Sequence, residues 1–303
     1  MTPDQAALRA AFGGLELRAR RIVEGLRSGG HVSPRAGGAV EFDRHRAYQP
    51  GDELRHLDWK VFARSDRLVL KHARMETTLD VLFLLDDSGS MAFGSNGVWG
   101  TKFELATAVA HALAWLAVDA GDRVAGWQCV DVQSTSTTPR GGLVGLSQMT
   151  ESCGGSPSEG DAVDLPAISR MLVSAVQRPS LIIVLSDLFA TQDELERFFG
   201  RLRHAGHDVL LLQTIDGAEQ RFEVPEEARM IDLEGLNSVQ IQARSLRDTY
   251  LEALERHQNF IGDICRRLQI EHLVLDPHQS PIPELRRLLH RRAAGLSAAR
   301  TVG

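Results

Sequence analysis

Cysteine is scarce in this chain, and its three copies follow no pattern that indicates a metal or disulfide site. Among 303 residues, cysteine occurs only at positions 129, 153 and 265. The number is odd and the spacing wide, which excludes a disulfide framework and the paired spacing of a zinc site. Cys129 and Cys265 lie in segments of apolar periodicity, so we predict that both are core residues. A reducing compartment is the simpler expectation.

Long apolar runs are also missing. Nowhere do about 18 apolar residues follow one another, the length that a membrane-spanning helix needs. The first five residues, Met-Thr-Pro-Asp-Gln, do not begin a charged region followed by an apolar one, as a signal peptide would. We therefore expect a cytoplasmic protein without a membrane span.

Lysine is scarce, and acidic residues outnumber basic ones by 40 to 34. Lysine occurs only at positions 60, 71 and 102, and the formal net charge is −6. Nucleic-acid binding requires a basic field, so we predict no nucleic-acid partner. None of the lysines stands in the sequence Gly-x-x-x-x-Gly-Lys-Ser/Thr, which excludes a P-loop ATPase.

The most informative feature that is present is a short apolar run ending in a carboxylate and two hydroxyls. Residues 82–85, Leu-Phe-Leu-Leu, predict a buried strand, and Asp86, Ser88 and Ser90 follow it. In a turn that leaves a strand, these alternate residues converge on one point while Asp87 faces away. Hard oxygen donors suit Mg²⁺ or Mn²⁺ better than Zn²⁺. The alternative is a polar loop that caps the next helix, because Ser and Asp are common caps.

The segments downstream predict an α/β fold. The pattern Thr-x-x-Glu at 101–104 is a capping box and predicts a helix over 101–119. A second apolar run, 181–185, leads to Asp187. Strands and helices in alternation imply a doubly wound, mostly parallel sheet. We expect Asp86 and Asp187 at the C-terminal ends of adjacent strands, in exposed loops beyond the sheet edge.

The same patterns predict the remaining elements. Residues 134–161 are rich in Ser, Thr and Gly and predict a loop, with room for a short edge strand over 134–138. Residues 4–27 predict an amphipathic helix with a basic face, which we expect to pack on its own domain rather than on a membrane. The predicted strands are 80–86, 122–130, 180–186, 207–215 and 270–275, and the predicted helices are 101–119, 162–177, 191–205, 246–268 and 283–292.

Two regions of the chain carry a combination of motifs that is specific when both occur together. The first region reads Glu41-Phe42, Arg46-x-Tyr48, Gly51-Asp52, Arg55, Asp58-Trp59 and Ala63-Arg64. The second reads Leu84-x-Asp86-x-Ser88-x-Ser90-Met91, followed by Gly121-Asp122-Arg123-Val124 and Ser186-Asp187. Together they resemble the domain-of-unknown-function family fifty-eight, whose members join a short N-terminal motif region to a von Willebrand factor A-like domain.

The resemblance implies a domain organisation and a partner. Residues 1–78 would hold the N-terminal helix and the motif region, 79–277 the von Willebrand factor A-like, Rossmann-like domain, and 278–303 a C-terminal helix and tail. Proteins of this family are commonly encoded beside MoxR-type AAA+ ATPases and are thought to act with them in chaperone-like assembly or maturation of protein complexes. The resemblance thus implies a non-enzymatic protein-interaction module, with a MoxR-type ATPase and its client as partners.

The resemblance also implies a metal site of the metal-ion-dependent adhesion type. The ion would be Mg²⁺, with a carboxylate of the partner at the vacant position. The family pattern has a Thr ligand where this chain has Val163, which offers no oxygen. Either a loop residue replaces that Thr, or the ion is held weakly or not at all. The implied ligands are Asp86, Ser88, Ser90 and Asp187, and the replacements left open are Ser156, Ser158, Asp161 and Asp164.

An uncharacterised Mg²⁺-dependent hydrolase or phosphatase is the alternative function. As a phosphoryl acceptor, Asp86 would need a second acid two residues on, where Ser88 stands. As a hydrolase nucleophile, Ser88 would need a Gly-x-Ser-x-Gly elbow, and the first position of that pattern is Asp86. Both patterns therefore favour the non-enzymatic reading.

Overall fold

The computed structural model divides into two compact units. One unit is Arg35–Thr78, and the other combines Met1–Pro34 with Leu79–Gly303. The residues that the structure describes are 19, 22–23, 26, 41–48, 59–65, 67–74, 78–130, 132–158, 163–222, 229–231, 238–240 and 243–299.

The smaller unit is built on a two-stranded antiparallel sheet. Strand β1 (Glu41–Ala47) pairs with β2 (Val69–Arg74), and the short helix α1 (Trp59–Ser65) lies between them in the chain. The pairing shifts register between Phe42 and Arg44, which is the mark of a bulge. Of the family motif in this unit, Asp52, Arg55 and Asp58 lie outside the described residues.

The larger unit is organised around a six-stranded, mostly parallel sheet, as the sequence predicts. Its strand order is β10-β7-β6-β3-β4-β5, and only the edge strand β5 runs antiparallel to its neighbour. A separate antiparallel pair consists of β8 (Arg229–Ile231) and β9 (Ser238–Gln240). The strands of the large sheet are β3 (Asp80–Leu85), β4 (Arg123–Gln128), β5 (Arg140–Gly141), β6 (Leu181–Ser186), β7 (Asp208–Thr214) and β10 (Glu271–Leu275).

The helices of this unit begin where the local capping signals predict. Thr101 forms a capping box with Glu104, and Thr191 forms another with Glu194. The last helix ends at Ala299, beyond the predicted limit at 292. Among the described residues, no helix has the length and apolar character needed to cross a membrane. The helices are α2 (Lys102–Asp119), α3 (Val132–Thr135), α4 (Gly142–Cys153), α5 (Leu165–Ala175), α6 (Gln192–His204), α7 (Gly217–Arg221), α8 (Ala243–Arg267) and α9 (Ile282–Ala299).

Apolar side chains cover both faces of the large sheet. Along β3, Val81, Phe83 and Leu85 face a core that includes side chains of α2, α4 and α9. The alternate residues, Leu82 and Leu84, face a second core with side chains of α5, α6 and α8. A central strand that is buried on both faces reads as a continuous apolar run, which is why the pattern at 82–85 is so clear.

The predicted amphipathic helix near the N-terminus is described at four of its positions. Ala19, Ile22, Val23 and Leu26 are helical and belong to the core that contains α2. This confirms that the apolar side of the segment packs on its own unit. The predicted helix spans 4–27, and its remaining residues lie outside the part of the chain that the structure describes.

The prediction of a loop over 134–161 is wrong. Residues 132–135 are helical rather than an edge strand, β5 lies at Arg140–Gly141, and α4 occupies Gly142–Cys153. The cause is the composition of α4, because Leu143 and Val144 are exposed while small residues such as Gly145 face inward. Because α4 exposes two large apolar residues and buries a glycine and a serine beside Met149, its sequence carries no clear apolar stripe.

The close approach of α4 to the sheet predicts a cost for any side chain at Gly126. A Cβ atom at this position of β4 would lie 2.7 Å from Cys153 Sγ and 3.1 Å from the backbone oxygen of Met149. We expect Gly126→Ala to lower the free energy of unfolding by roughly 1–3 kcal/mol, as overpacking does, in urea denaturation. Gly200→Ala is the control, because a Cβ there meets nothing within 4 Å. An unchanged Gly126→Ala protein would show that α4 is not seated as described.

The three cysteines are buried, as predicted for Cys129 and Cys265. Burial raises the pKa of the Cys153 thiol to about 12 and that of Cys265 to about 11. Thiols with such pKa values stay protonated at neutral pH and are poor nucleophiles and metal ligands.

Candidate functional site

The candidate site lies at the point of the sheet where the chain reverses its direction of winding. From β3 the chain moves to β4 on one side, and it later returns to β6 on the other side of β3. Ligands of open α/β sheets bind at the C-terminal ends of strands at such a switch point. Asp86 follows β3 and Asp187 follows β6, and these parallel strands are direct neighbours, as the sequence predicts.

The loop after β3 brings its alternate oxygen atoms together. Asp86 Oδ1 accepts a hydrogen bond from the backbone N–H of Ser88 at 3.0 Å, and Ser88 Oγ lies 3.1 Å from Ser90 Oγ. Asp87 points elsewhere, because its Oδ1 accepts from the backbone N–H of Val130 at 2.8 Å. The expected convergence of residues 86, 88 and 90 is therefore present.

The expectation that this loop is exposed is wrong. Asp86, Asp87, Ser88 and Asp187 are at most 5% exposed, and only Ser90 is partly accessible. The reason is that Asp86 Oδ2 also accepts a hydrogen bond from the hydroxyl of Ser186, at the end of the neighbouring strand. These bonds hold the loop down on the sheet, so its polar groups contribute to stability as well as to the site.

The surroundings of Asp86 raise the pKa of its carboxyl group. Burial and the nearby carboxylate of Asp187 raise the pKa of Asp86 to about 6, although hydrogen bonds from Ser186 and Ser88 act in the opposite direction. Near neutral pH, the site therefore holds a carboxylate whose ionised form is disfavoured by its surroundings.

This pKa predicts a pH-dependent gain of stability for Asp86→Asn. The folded-state pKa lies above 3.8, the usual value of an Asp carboxyl, so the ionised side chain destabilises the folded protein above about pH 6 and this penalty vanishes below pH 4. We expect the stability of Asp86→Asn relative to wild type to rise by an amount on the order of 1–3 kcal/mol between pH 4 and pH 7.5, on top of a pH-independent loss, because the Asn amide nitrogen cannot accept the hydrogen bond that the second carboxylate oxygen accepts.

Thermal unfolding between pH 4 and 8 measures this difference. Asp164→Asn is the matched control, since Asp164 is a helix cap whose side chain is exposed to solvent. A difference between Asp86→Asn and wild type that stays constant with pH would contradict the assigned cause.

Lys102 is the functional residue that the sequence analysis missed. It is the first residue of α2 and is fully buried, and its Nζ lies 2.8 Å from both Asp187 Oδ2 and Glu219 Oε1. The same Nζ lies 5.8 Å from the ring centroid of Phe93 and 5.0 Å from that of Phe189. The sequence contains a feature that could have identified Lys102. It is one of only three lysines, and it stands at a predicted helix N-terminus, where the helix dipole disfavours a cation.

The two carboxylates keep this lysine charged. Burial lowers the pKa of Lys102, but the charges of Asp187 and Glu219 and their hydrogen bonds outweigh burial, and the pKa stands above its usual value. Burial raises the pKa of Glu219, and Lys102 offsets part of that rise. The buried triad of Lys102, Asp187 and Glu219 is thus an ammonium between two carboxyl groups.

An open pocket of about 120 Å³ lies between the loops after β3 and β6. Its polar side combines carboxylates and hydroxyls, and its other side is apolar. Val163 belongs to the apolar side, at the place where a Thr ligand would be expected. The lining residues are Asp86, Ser88, Val163, Leu165, Ser186, Asp187, Leu188, Phe189, Ala190 and Glu194.

Of the four residues left open as replacements for the missing Thr, two make described hydrogen bonds. Asp164, one of the proposed replacements for the missing Thr, caps α5 by accepting from the backbone N–H of Ala167 at 2.8 Å. The described contact of Ser158 is a backbone one, from its N–H to the carbonyl of Asp87 at 2.6 Å, and Asp161 lies outside the described residues. Within the described ranges, no three His, Cys, Asp or Glu side chains form a metal-binding group.

A second polar cluster at the same edge of the sheet differs in geometry from a hydrolase triad. Ser95 Oγ donates to Asp216 Oδ1 at 2.5 Å and lies 2.7 Å from His278 Nε2. A hydrolase triad needs the serine and the carboxylate on opposite ring nitrogens, but here both face Nε2, with Asp216 Oδ1 at 3.4 Å. The serine hydroxyl is committed to a buried carboxylate, so this cluster does not activate a nucleophile.

Comparisons with known proteins give a family and distant relatives. A family model described as "Protein of unknown function DUF58" matches residues 44–260. "Uncharacterized protein Rv1480" of Mycobacterium tuberculosis and "Uncharacterized protein Mb1516" of Mycobacterium bovis are each 25% identical to the chain over 272 residues, which cover 88% of this chain and 83% of the relative.

Two solved structures are similar at low sequence identity. A conserved hypothetical protein, BatB, from Bacteroides thetaiotaomicron has 15% identity and a TM-score of 0.45, with 73% of this chain and 99% of that chain covered. An aerotolerance-related membrane protein from Bacteroides fragilis has 14% identity and a TM-score of 0.42, with coverages of 70% and 97%.

Proposed function

The chain belongs to the DUF58 family of proteins of unknown function, and from this premise we propose that it is a non-enzymatic protein-interaction module. In this proposal the larger unit is a von Willebrand factor A-like domain, and the pocket at its switch point receives a side chain of another protein. The observation that carries the proposal is the pocket itself, which lies where α/β sheets bind their ligands.

The rim of the site has the character of a protein interface. Phe189 lines the pocket and is 43% exposed, and Phe93, whose ring also lies within 6 Å of Lys102 Nζ, is 36% exposed. Exposed aromatic side chains around a polar centre are typical of the residues that contribute most to binding between proteins. The rim would supply apolar contact area, and the carboxylates and hydroxyls of the pocket would supply specificity.

The proposed partner is a MoxR-type AAA+ ATPase together with its client. The support is the family resemblance, because the motif region and the site loop together are the combination found beside such ATPases. The function would be chaperone-like assembly or maturation of protein complexes, in the cytoplasm and without nucleic acid. The chain would act by holding a client or the ATPase, while the ATPase supplies the energy.

The proposal assigns Asp86, Ser88, Ser90 and Asp187 to the docking site and expects weak or no binding of Mg²⁺ by the isolated chain. Val163 supplies no oxygen, and Asp187 is already paired with Lys102. Hard cations are held tightly only by a complete shell of oxygen ligands. Isothermal titration calorimetry with MgCl₂ should therefore show no tight, stoichiometric site.

The non-enzymatic part of the proposal has its own support and test. The hydroxyl of Ser186 donates to Asp86 and accepts from the backbone N–H of Leu188, so it is held in place on both sides. A serine nucleophile must also be open to its substrate, and Ser186 is only 3% exposed. We expect no hydrolysis of phosphate esters or nucleoside triphosphates above background when Mg²⁺ is present.

Docking is tested by changing the pocket without removing its buried hydrogen bonds. Ala190 and Phe189 line the pocket and are not fully buried, so Ala190→Trp should fill it and Phe189→Ala should remove its rim. We expect each variant to lose at least tenfold in affinity for the MoxR-type ATPase in co-purification and surface plasmon resonance. Thermal unfolding should stay close to that of wild type.

A matched control uses an apolar side chain that is exposed at a distance from the pocket. Leu143, at the start of α4, is 81% exposed and does not line the pocket, so Leu143→Trp should leave binding unchanged. If Ala190→Trp and Phe189→Ala bind the ATPase as tightly as wild type does, the pocket is not the docking site.

A further inference from the structure

We propose that Lys102 is the resident cation of this site: its ammonium group compensates Asp187 in place of a divalent ion, and the chain thereby keeps its pocket organised without metal. This assigns to a residue of the chain a part that the family resemblance gives to Mg²⁺. It concerns the isolated protein and does not depend on which partner binds.

The contacts of Lys102 are those of a bound ion rather than of a surface lysine. Its Nζ is buried and lies at the same distance, 2.8 Å, from the two carboxylates, one after β6 and one on α7. The other carboxylate oxygen of Glu219 accepts from the backbone N–H of Asp216 at 3.0 Å. The ammonium therefore links the end of β6 to the start of α7, as a metal ion shared by two loops would.

The aromatic rings complete this environment. The rings of Phe93 and Phe189 lie within 6 Å of Nζ, the range in which a ring face attracts a cation. Both rings are partly exposed and form the rim of the site, and Phe189 also lines the pocket. The buried ammonium thus positions the rim directly, which a hydrated divalent ion in the pocket would not do.

The oxygens that a divalent ion would need already have protein partners. Asp187 Oδ2 accepts from Lys102, and Asp187 Oδ1 accepts from the backbone N–H of Phe189 at 3.3 Å. Both oxygens of Asp86 accept hydrogen bonds as well, from Ser88 and Ser186. A divalent ion between these carboxylates would displace such bonds and stand close to a buried positive charge, where solvent screening is weak.

Two explanations of weak metal binding can now be separated. If the lack of a Thr at Val163 were the cause, adding a hydroxyl there would be sufficient to create a site. If the ammonium of Lys102 is the cause, the hydroxyl would have no effect until the ammonium is removed. The variants Val163→Thr and Lys102→Met distinguish these explanations, because Val163 and Lys102 act on different parts of the site.

The experiment measures Mn²⁺ binding to the full chain by calorimetry and electron paramagnetic resonance. We expect wild type and Val163→Thr to bind Mn²⁺ equally weakly, with the same melting temperature in EDTA and in MnCl₂. Lys102→Met should bind Mn²⁺ at least about tenfold more tightly than wild type and should melt at a higher temperature when Mn²⁺ is added.

A second variant allows the same test if Lys102→Met does not fold. The double variant Lys102→Met, Glu219→Gln has one unpaired carboxylate, whereas Lys102→Met has two. It should also gain Mn²⁺ binding. Tight binding by wild type, or a gain of binding by Val163→Thr alone, would overturn the proposal. So would a folded double variant that binds Mn²⁺ no better than wild type. None of these readouts involves a partner protein, so a failure here is distinct from a failure of docking.

Discussion

Lys102→Met is expected to lower the free energy of unfolding by roughly 3–5 kcal/mol, which is the cost of removing one member of a buried ion pair. Methionine fills a similar volume but leaves Asp187 and Glu219 facing one another without a cation. Asp187 is 1% exposed, so water cannot easily take over its hydrogen bond. Urea denaturation of the purified variant measures the loss directly.

The control for this prediction is an ion pair in solvent. Arg197 pairs with Asp193 at 2.7 Å on α6, and both side chains are at least 65% exposed. Arg197→Met should cost about 0.3–0.5 kcal/mol, the usual value of such a pair. Adding Glu219→Gln to Lys102→Met should recover part of the stability, because one buried charge fewer remains. Equal losses for Lys102→Met and Arg197→Met would show that the triad is not buried as described.

The second large effect is expected at Asp216, which joins three loops at the edge of the sheet. Its Oδ1 accepts from the hydroxyl of Ser95 and from the backbone N–H of Ala218, and its Oδ2 accepts from the backbone N–H of Ser95. Burial raises the pKa of Asp216, but the hydrogen bonds from Ser95 and Ala218 and the nearby His278 bring it below its usual value. The side chain is therefore ionised and fully satisfied at neutral pH.

Asp216→Ala should lower the free energy of unfolding by roughly 1.5–3 kcal/mol, since it leaves buried donors without an acceptor. The hydrogen exchange of the backbone amides around Ser95 should also become faster, because their loop loses its attachment. Thermal unfolding and hydrogen exchange of the same sample measure both effects.

A helix cap that makes fewer contacts provides the comparison. Asp164 accepts only one described hydrogen bond, from Ala167, so Asp164→Ala should cost about 1 kcal/mol. The excess loss in Asp216→Ala over Asp164→Ala measures the attachment of the loop that contains Ser95. If the two variants lose the same stability and exchange stays slow around Ser95, then Asp216 acts only as a cap.

Local patterns account for what the sequence predicted correctly. The strands at 80–85 and 181–186 are apolar runs, and the helices after Thr101 and Thr191 begin with capping boxes. Such signals depend on residues a few positions apart, so they can be recognised without knowledge of the fold. The loop predicted over 134–161 shows the limit, because α4 exposes Leu143 and Val144 and buries Gly145, so its sequence carries no clear apolar periodicity.

The sequence by itself determined the class of fold, the order of its main elements and the placement of Asp86 and Asp187 on adjacent strands. These follow from apolar periodicity, caps and the rule that parallel strands deliver their C-terminal ends to one edge. Only the tertiary structure decided how the charges at that edge are compensated and how its loops are buried. Lys102 meets Asp187 and Glu219 across separations of 85 and 117 residues, and the loop after β3 is buried by contact with the end of β6. Contacts over such separations depend on how the strands and helices pack, and no local pattern of residues encodes them.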